Sequence, residues 1–166
     1  MGGMRGALEP GDVFASDFAI ESMLSEGGMG RVYVARQLST GKRRALKLML
    51  PGLVADATLR SRFVQEARIG ASIESDYIVE VVAAGIDART GLPWLAMELL
   101  EGELLADLCD HYGALAPEEC HSILRQLCHG LAAAHRVGIV HRDLKPENIF
   151  LAKARRLDVA YTVKIL

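Results

Sequence analysis

The part of the sequence that most limits what this chain can fold into is the stretch VHRDLKPENIFL, at positions 140–151. It carries an acid, a base and an amide, Asp143, Lys145 and Asn148, within six residues. A helix-like segment that ends at Gly138 comes before it, and the strand-like residues NIFL follow at once. A surface loop without a function would not ordinarily combine these features. We therefore predict a functional loop between a helix and a strand.

These three side chains suit the transfer of a phosphoryl group. Asp143 can orient and deprotonate an attacking hydroxyl, and Lys145 can offset charge on the phosphoryl group during its transfer. Asn148 offers a neutral oxygen ligand for Mg²⁺. We therefore predict that Asp143, Lys145 and Asn148 are catalytic residues and that Asn148 is also a metal ligand.

A glycine-rich turn interrupts the first run of strand-forming residues. Between Phe18 and Leu50 the sequence predicts three antiparallel strands, joined by turns at SEGGMG and STGK. Because glycine has no Cβ atom, the backbone N–H groups of SEGGMG could approach a chain of phosphates closely. Taken alone, the same glycines are also typical of an ordinary hairpin turn, and both interpretations remain open on this stretch.

The third of these strands carries a lysine that needs an explanation. In RRALKLML, Lys47 shares one face of the strand with Ala45 and Met49, so its ammonium group either extends to solvent or needs an anion. Glu66 poses the complementary problem, because it falls in the apolar stripe of a predicted helix with Leu59, Phe63, Gly70 and Ile73. We predict that Lys47 pairs with Glu66, which leaves the ammonium group placed to hold a phosphate oxygen.

Two further elements follow from hydrophobic patterning. Apolar stretches at 78–84 and 94–100 flank the turn-like DARTGLP and predict a hairpin. Pro117 begins a strong helical pattern that ends at Gly138. Its apolar stripe comprises Ile123, Leu124, Leu127 and Leu131.

Composition excludes some classes of function. A net charge of −2 and a pI near 6.2 give no general field that would attract nucleic acid. No apolar run reaches the ~20 residues that a membrane-spanning helix needs. The three cysteines, an odd number, do not indicate a disulfide framework. We expect a cytoplasmic protein without a membrane segment or a nucleic acid partner.

Together, GGMGRVYVA and HRDLKPENIF resemble the motifs of the eukaryotic-like serine/threonine protein kinases of bacteria. The resemblance implies an α+β, protein-kinase-like fold, with a complete β-rich N-terminal lobe that carries one helix and the first part of a helical C-terminal lobe. It implies ATP-dependent phosphorylation of serine or threonine hydroxyls, with ATP and Mg²⁺ as cofactors and a protein as substrate. The implied segments are an N-terminal extension at 1–10 and a kinase domain at 11–166, divided into an N-lobe at 11–97, a hinge at 98–102 and a partial C-lobe at 103–166.

The resemblance also implies a role for individual residues in binding ATP. The glycine-rich turn would cover the phosphates, Lys47 would hold the α- and β-phosphates, and Glu66 would be its partner. Leu24, Val32, Ala45 and Phe150 would enclose the adenine, Met97 would be the gatekeeper, and the backbone of Glu98 and Leu100 would hydrogen-bond the base. The implied ATP-binding residues are Leu24, Ser25, Glu26, Gly27, Gly28, Met29, Gly30, Arg31, Val32, Ala45, Lys47, Glu66, Met97, Glu98, Leu100 and Phe150.

The chain departs from the family pattern at three places. Ser25 replaces the first glycine of the glycine-rich loop, and Arg44 stands where a valine is usual. In the family, VKIL runs into Asp-Phe-Gly, whose aspartate is the principal Mg²⁺ ligand, but here VKIL ends the sequence. We therefore expect a chain truncated before that motif, with impaired catalysis and with self-association through an exposed C-lobe surface. The alternatives are a non-catalytic nucleotide-binding or docking module, as in pseudokinases, and an inactive gene fragment.

Overall fold

The computed structural model describes residues 7–154 and 160–166 and divides the chain into two units. The first unit comprises Met1–Ala71 and Val81–Leu99, and the second comprises Ser72–Glu80 and Leu100–Leu166. Of the predicted N-terminal extension at 1–10, residues 1–6 lie outside the described part of the chain.

A six-stranded antiparallel sheet forms the body of the first unit. Its order is β1-β2-β3-β4-β6-β5, and its strands are Val13–Phe14 (β1), Phe18–Glu26 (β2), Gly30–Gln37 (β3), Arg43–Met49 (β4), Val81–Ile86 (β5) and Pro93–Glu98 (β6). The three strands predicted between Phe18 and Leu50 and the hairpin around DARTGLP are thereby confirmed.

One face of this sheet carries an apolar core around three fully buried aromatic side chains. Phe14, Phe18 and Tyr33 pack there with Leu46 and other aliphatic groups. The Tyr33 hydroxyl is buried but satisfied, because the backbone N–H of Leu8 donates to it at 3.1 Å. Leu8 itself is part of this core, so the described end of the N-terminal extension packs on the sheet.

The helix of the first unit, α1, spans Ala57–Ser72. Its first turn is capped by Asp56, whose Oδ1 accepts hydrogen bonds from the backbone N–H groups of Thr58 and Leu59. Phe63 and Ala67 are buried in a second core with Met49 and Leu95. Ile73, which the spacing placed on the same face, follows the end of the helix, where Gly70 and Ser72 lower the helix propensity.

The described residues of the second unit form three strands and two helices. A short antiparallel sheet of order β7-β8-β9 contains Gly102–Leu104 (β7), Ile149–Lys153 (β8) and Tyr161–Ile165 (β9). The helices are Leu105–Tyr112 (α2) and Pro117–Arg136 (α3), and single 3₁₀ turns occur at Pro51–Leu53 in the first unit and Pro146–Asn148 in the second.

Helix α3 packs its apolar stripe on this small sheet. It begins with Pro117, and the chain turns away after it at Gly138, which has a positive φ of 76° as predicted for a stop. Ile123 and Leu127 are buried against Ile149, Val163 and neighbouring apolar groups. Leu124, however, is 58% exposed, so the predicted stripe is narrower than its spacing suggested.

Candidate active site

The glycine-rich turn is the tip of the hairpin formed by β2 and β3. Glu26 and Arg31 are direct partners in the register, and the N–H of Gly27 donates to the carbonyl oxygen of Gly30 at 2.9 Å. A Cβ atom at Gly30 would clash with the carbonyl oxygen of Leu48 in β4, so this position requires glycine. A Cβ atom at Gly28 would meet nothing within 4 Å, and its φ is not positive. Neither packing against the described residues nor backbone conformation therefore explains the glycine at position 28.

An ion pair closes the base of this turn. The Nε of Arg31 lies 2.8 Å from Oε2 of Glu26, and its Nη2 lies 3.4 Å from Oε1, which makes a two-point contact across the hairpin. The hydrogen bond from Arg31 holds the pKa of Glu26 below its usual value. The guanidinium of Arg31 is therefore engaged within the protein.

The predicted contact between Lys47 and Glu66 is present in the first unit. Lys47 lies in β4 between Val32 of β3 and Leu95 of β6, and its Nζ is 2.5 Å from Oε1 of Glu66 in α1. The ammonium also lies 5.8 Å from the centre of the Phe63 ring. The side chains are 24% exposed for lysine and 47% for glutamate, so the pair is accessible to a ligand.

The residues predicted to surround the adenine are divided between the units. In the first, Ala45 is paired with Met97 in the register, and Val32 is beside Lys47. Glu98 is buried, whereas the side chain of Leu24 is 53% exposed. Leu100 and Phe150 belong to the second unit, where both are half-buried. Within the first unit Val32, Ala45 and Met97 thus lie on the neighbouring strands β3, β4 and β6, and Leu24 lies on β2.

The second unit assembles the predicted catalytic residues around the carboxylate of Asp143. The amide nitrogen of Asn148 donates to the carbonyl oxygen of Asp143 at 2.7 Å and to its Oδ2 at 3.0 Å. Nζ of Lys145 lies 3.3 Å from the same Oδ2. Both amide hydrogens of Asn148 are thereby used, so its Oδ1 is the atom that remains to take a metal ion.

These contacts favour the ionised form of Asp143. Hydrogen bonds from Lys145 and then from Asn148 lower the pKa of this carboxyl from its ordinary value of 3.8. The loop reaches this geometry through Arg142, which adopts the left-handed conformation with φ of 65°. Asp143 can therefore accept a hydrogen bond from a hydroxyl group at neutral pH, and Lys145 supplies a positive charge beside it.

His141 is a member of this site that the sequence analysis missed. The N–H of Asp143 donates to its Nδ1 at 3.3 Å, so Nδ1 is an acceptor and the ring proton of neutral histidine lies on Nε2. Nε2 then donates to the carbonyl oxygen of Leu166, 3.2 Å away. His141 therefore joins the loop at 141–148, called the catalytic loop here after its predicted role, to Leu166, the residue after β9. The two residues are 25 positions apart, so no local sequence pattern predicts their contact.

Comparison with known proteins identifies the family to which the chain belongs. The protein kinase domain family matches residues 18–166, so the chain belongs to the protein kinase family. Over 143 residues it is 40% identical to the serine/threonine-protein kinase Pkn2 of Myxococcus xanthus, covering 86% of this chain and 17% of Pkn2. Over 150 residues it is 37% identical to the serine/threonine-protein kinase PknL of Mycobacterium tuberculosis, covering 90% of this chain and 37% of PknL.

A solved structure supports the same fold. The crystal structure of the Mycobacterium tuberculosis PknI kinase domain aligns with a TM-score of 0.76 and 28% identity, over 96% of this chain and 62% of that chain. The predicted protein-kinase fold is thus confirmed. The chain spans well under half the length of Pkn2 and PknL. Within the described residues, no helix is both long and apolar enough to cross a bilayer.

Proposed function

We propose that this chain is the nucleotide-binding and catalytic-loop part of a serine/threonine protein kinase, which transfers the γ-phosphoryl group of ATP to serine or threonine hydroxyls of proteins. The observation that carries the proposal is the cluster of Asp143, Lys145 and Asn148, in which one carboxylate is held by a lysine and an asparagine. A neighbour of known type supports it, because PknL is named a serine/threonine-protein kinase.

The first unit supplies groups that fit the phosphates of ATP. A Cβ atom at Gly28 would meet no described residue within 4 Å, so the backbone there is open to the close approach of a phosphate chain. Lys47 is held by Glu66 at an accessible position, so its ammonium can take a phosphate oxygen as well. The remaining residues of the proposed nucleotide site are those that the resemblance implied, with Ala45 and Met97 beside each other in the sheet.

The second unit supplies groups that fit the transfer step. The ionised carboxylate of Asp143 would accept the hydrogen bond of the substrate hydroxyl, orient its oxygen and take its proton late in the reaction. Lys145 would place its charge beside the phosphoryl group, and the Oδ1 of Asn148 would hold Mg²⁺. When bound, Mg²⁺ neutralises charge on the phosphates. Because ATP is a substrate found inside the cell, the proposed location is the cytoplasm.

The proposed partner is a protein with a serine or threonine acceptor. Self-association through the second unit also remains a prediction. It is supported by exposed apolar side chains such as Leu124, Val137 and Val140, which would be shielded from water in an assembly.

Nucleotide affinity tests the proposal directly. We expect Lys47→Met to weaken binding of ATP with Mg²⁺ by about tenfold or more, because a charge-assisted hydrogen bond contributes about 1.5–3 kcal/mol. Lys42→Met is the matched control, since Lys42 is exposed in the turn between β3 and β4. Titration calorimetry measures both. Equal affinity of the Lys47→Met variant and the unmodified chain would remove Lys47 from the proposed site.

Phosphate transfer separates the kinase function from the alternative of a non-catalytic binding module. We would incubate the chain with radiolabelled ATP, Mg²⁺ and a generic basic protein. Transfer that Asp143→Asn abolishes supports the enzyme. Nucleotide binding without transfer favours the non-catalytic binding module.

A further inference from the structure

Gln126 is a buried polar side chain for which neither the nucleotide nor the substrate hydroxyl gives a reason. It lies in the middle of α3 and is only 8% exposed. The described part of the chain buries three polar or charged side chains in all, and the other two, Asp87 and Glu98, belong to the first unit. A polar group in an apolar core is costly unless it is hydrogen-bonded, so Gln126 requires a partner.

Its partner is the backbone of β9. Oε1 of Gln126 accepts a hydrogen bond from the N–H of Val163 at 2.9 Å, and Val163 is fully buried. One edge of β9 is paired with β8, and the contact with Gln126 falls on the other edge. The N–H of Val163 is buried and has no partner within the described sheet, so Gln126 supplies the acceptor that a neighbouring strand would otherwise supply.

The same edge of β9 is fixed at a second point. The N–H of Ile165 donates to the carbonyl oxygen of Tyr77, and the N–H of Val79 donates to the carbonyl oxygen of Ile165, both at 2.9 Å. Gly130, one turn of α3 after Gln126, makes room for this approach. A Cβ atom there would lie 2.9 Å from Cδ1 of Ile165 and 3.1 Å from Cβ of Tyr77. Helix α3 thus holds β9 through Gln126 and permits the second contact through Gly130.

The end of β9 is in turn attached to the catalytic loop. The N–H of Leu166 donates to the carbonyl oxygen of Asn148 at 3.0 Å, and its carbonyl oxygen accepts from His141 at 3.2 Å. Both of these loop residues contact Asp143. An uninterrupted series of contacts therefore runs from Gln126 through β9 to the carboxylate of Asp143.

We propose that Gln126 is a positioning residue for the catalytic loop. It fixes β9 along the edge that faces away from β8, and Leu166, the residue after β9, then holds Asn148 and His141 in the geometry that presents Asp143. Gln126 is not among the residues of the proposed site and acts through its contact with β9. The consequence for metal and nucleotide binding rests on the function proposed above, whereas the mechanical connection does not.

Hydrogen exchange measured by NMR tests the mechanical connection. Gln126→Met keeps the length of the side chain and removes the acceptor, and Gln126→Glu keeps an acceptor oxygen. Arg125→Met is the control, because Arg125 is exposed on the adjacent position of α3. We expect Gln126→Met to accelerate exchange of the Val163 and Leu166 amides by about tenfold, while Leu127 and Leu151 in the same unit are unchanged. Gln126→Glu should restore protection.

Two results would overturn the proposal. One is unchanged protection of the Leu166 amide in Gln126→Met, and the other is equal acceleration at all four amides, which would indicate a purely structural role. Should Gln126→Met fail to fold, the unmodified chain decides the matter. The proposal then requires that the amides of Val163 and Leu166 exchange through one shared opening equilibrium. Independent opening of the two amides contradicts it.

Metal dependence tests the consequence for the site. We expect Gln126→Met to raise the Mg²⁺ concentration needed for nucleotide binding by about tenfold, which is the low end of the effect of losing an outer partner at a metal site. Affinity for ATP in EDTA should be unchanged, and Gln126→Glu should recover the Mg²⁺ dependence. If the unmodified chain binds no nucleotide, the function proposed above fails while the exchange experiment still decides the role of Gln126.

Discussion

The glycine-rich hairpin of the first unit and the catalytic loop of the second are held in different ways. The hairpin is supported from within, by its own strand register and by the ion pair between Glu26 and Arg31, five positions apart. The catalytic loop is also held by a residue distant in the sequence, because His141 and Asn148 contact Leu166, the residue after β9.

This difference matches the two proposed tasks. A turn that covers phosphates must approach a ligand closely, and open backbone at Gly28 permits that approach. A carboxylate that orients a hydroxyl must stay within a few tenths of an ångström of one position, and contacts with a separate strand supply that rigidity. The comparison therefore predicts that changes in the loop affect chemistry, whereas changes in the hairpin affect binding or stability.

The largest expected effect is on phosphoryl transfer. We would replace the matching segment of Pkn2 by residues 18–166 of this chain and measure transfer to a protein substrate. Asp143→Ala should lower the rate by about 10²-fold or more, because it removes the group that orients and deprotonates the hydroxyl. The matched control is Asp110→Ala, a change at the end of α2 that should leave the rate unchanged. A chimaera that retains most of its activity without Asp143 would remove this residue from the mechanism.

The sequence predicted the local parts of both regions. Asp143, Lys145 and Asn148 lie within six residues, so their proximity follows from the loop itself. The contact between Lys47 and Glu66 joins residues 19 positions apart, and it was predictable because a half-buried lysine and a glutamate on a helix face each need an opposite charge.

The contacts that support the catalytic loop could not be predicted in the same way. Gln126 and Val163 are 37 positions apart, and Val163 contributes only its backbone, which every residue carries. The burial of individual side chains was equally hard to predict. Leu124 matches the helical spacing of Ile123 and Leu127, but it lies on the exposed side of α3. Hydrophobic spacing predicts a helix face, but it does not tell which neighbours cover each part of that face.

The second prediction compares two glycines within the hairpin. Gly30→Ala should lower the free energy of unfolding by about 1–3 kcal/mol, because the new Cβ atom forces the backbone of β4 away at Leu48. Gly28→Ala should change stability little, since a Cβ atom there meets nothing within 4 Å, yet it should weaken ATP binding. Urea denaturation and titration calorimetry measure the two quantities. Equal loss of stability in both variants would contradict the distinction between a packing glycine and a binding glycine.

The smallest expected effect is on the pH dependence of stability. It concerns a polar cluster of the first unit at the turn between β1 and β2. The carboxylate of Asp17 accepts hydrogen bonds from the N–H and hydroxyl of Ser39 and from the side chain of Gln37. These hydrogen bonds hold the pKa of Asp17 below its ordinary value of 3.8. The hydroxyl of Ser39 contributes most to this shift, followed by the N–H of Ser39 and by Gln37. The cluster thereby joins the turn before β2 to the turn after β3.

A lowered pKa in the folded state fixes the direction of the pH dependence. The unfolded chain binds this proton at a higher pH than the folded chain, so Asp17 contributes its full stabilisation above about pH 4 and loses it as the pH falls through the folded value. We expect the urea midpoint of the chain to drop between pH 4 and pH 2, and Asp17→Asn to flatten part of that drop because it has no proton to gain. Since Asp17 is only partly shielded from solvent, the difference should be small, and identical curves for the two proteins would show that this cluster does not contribute to the stability of the first unit.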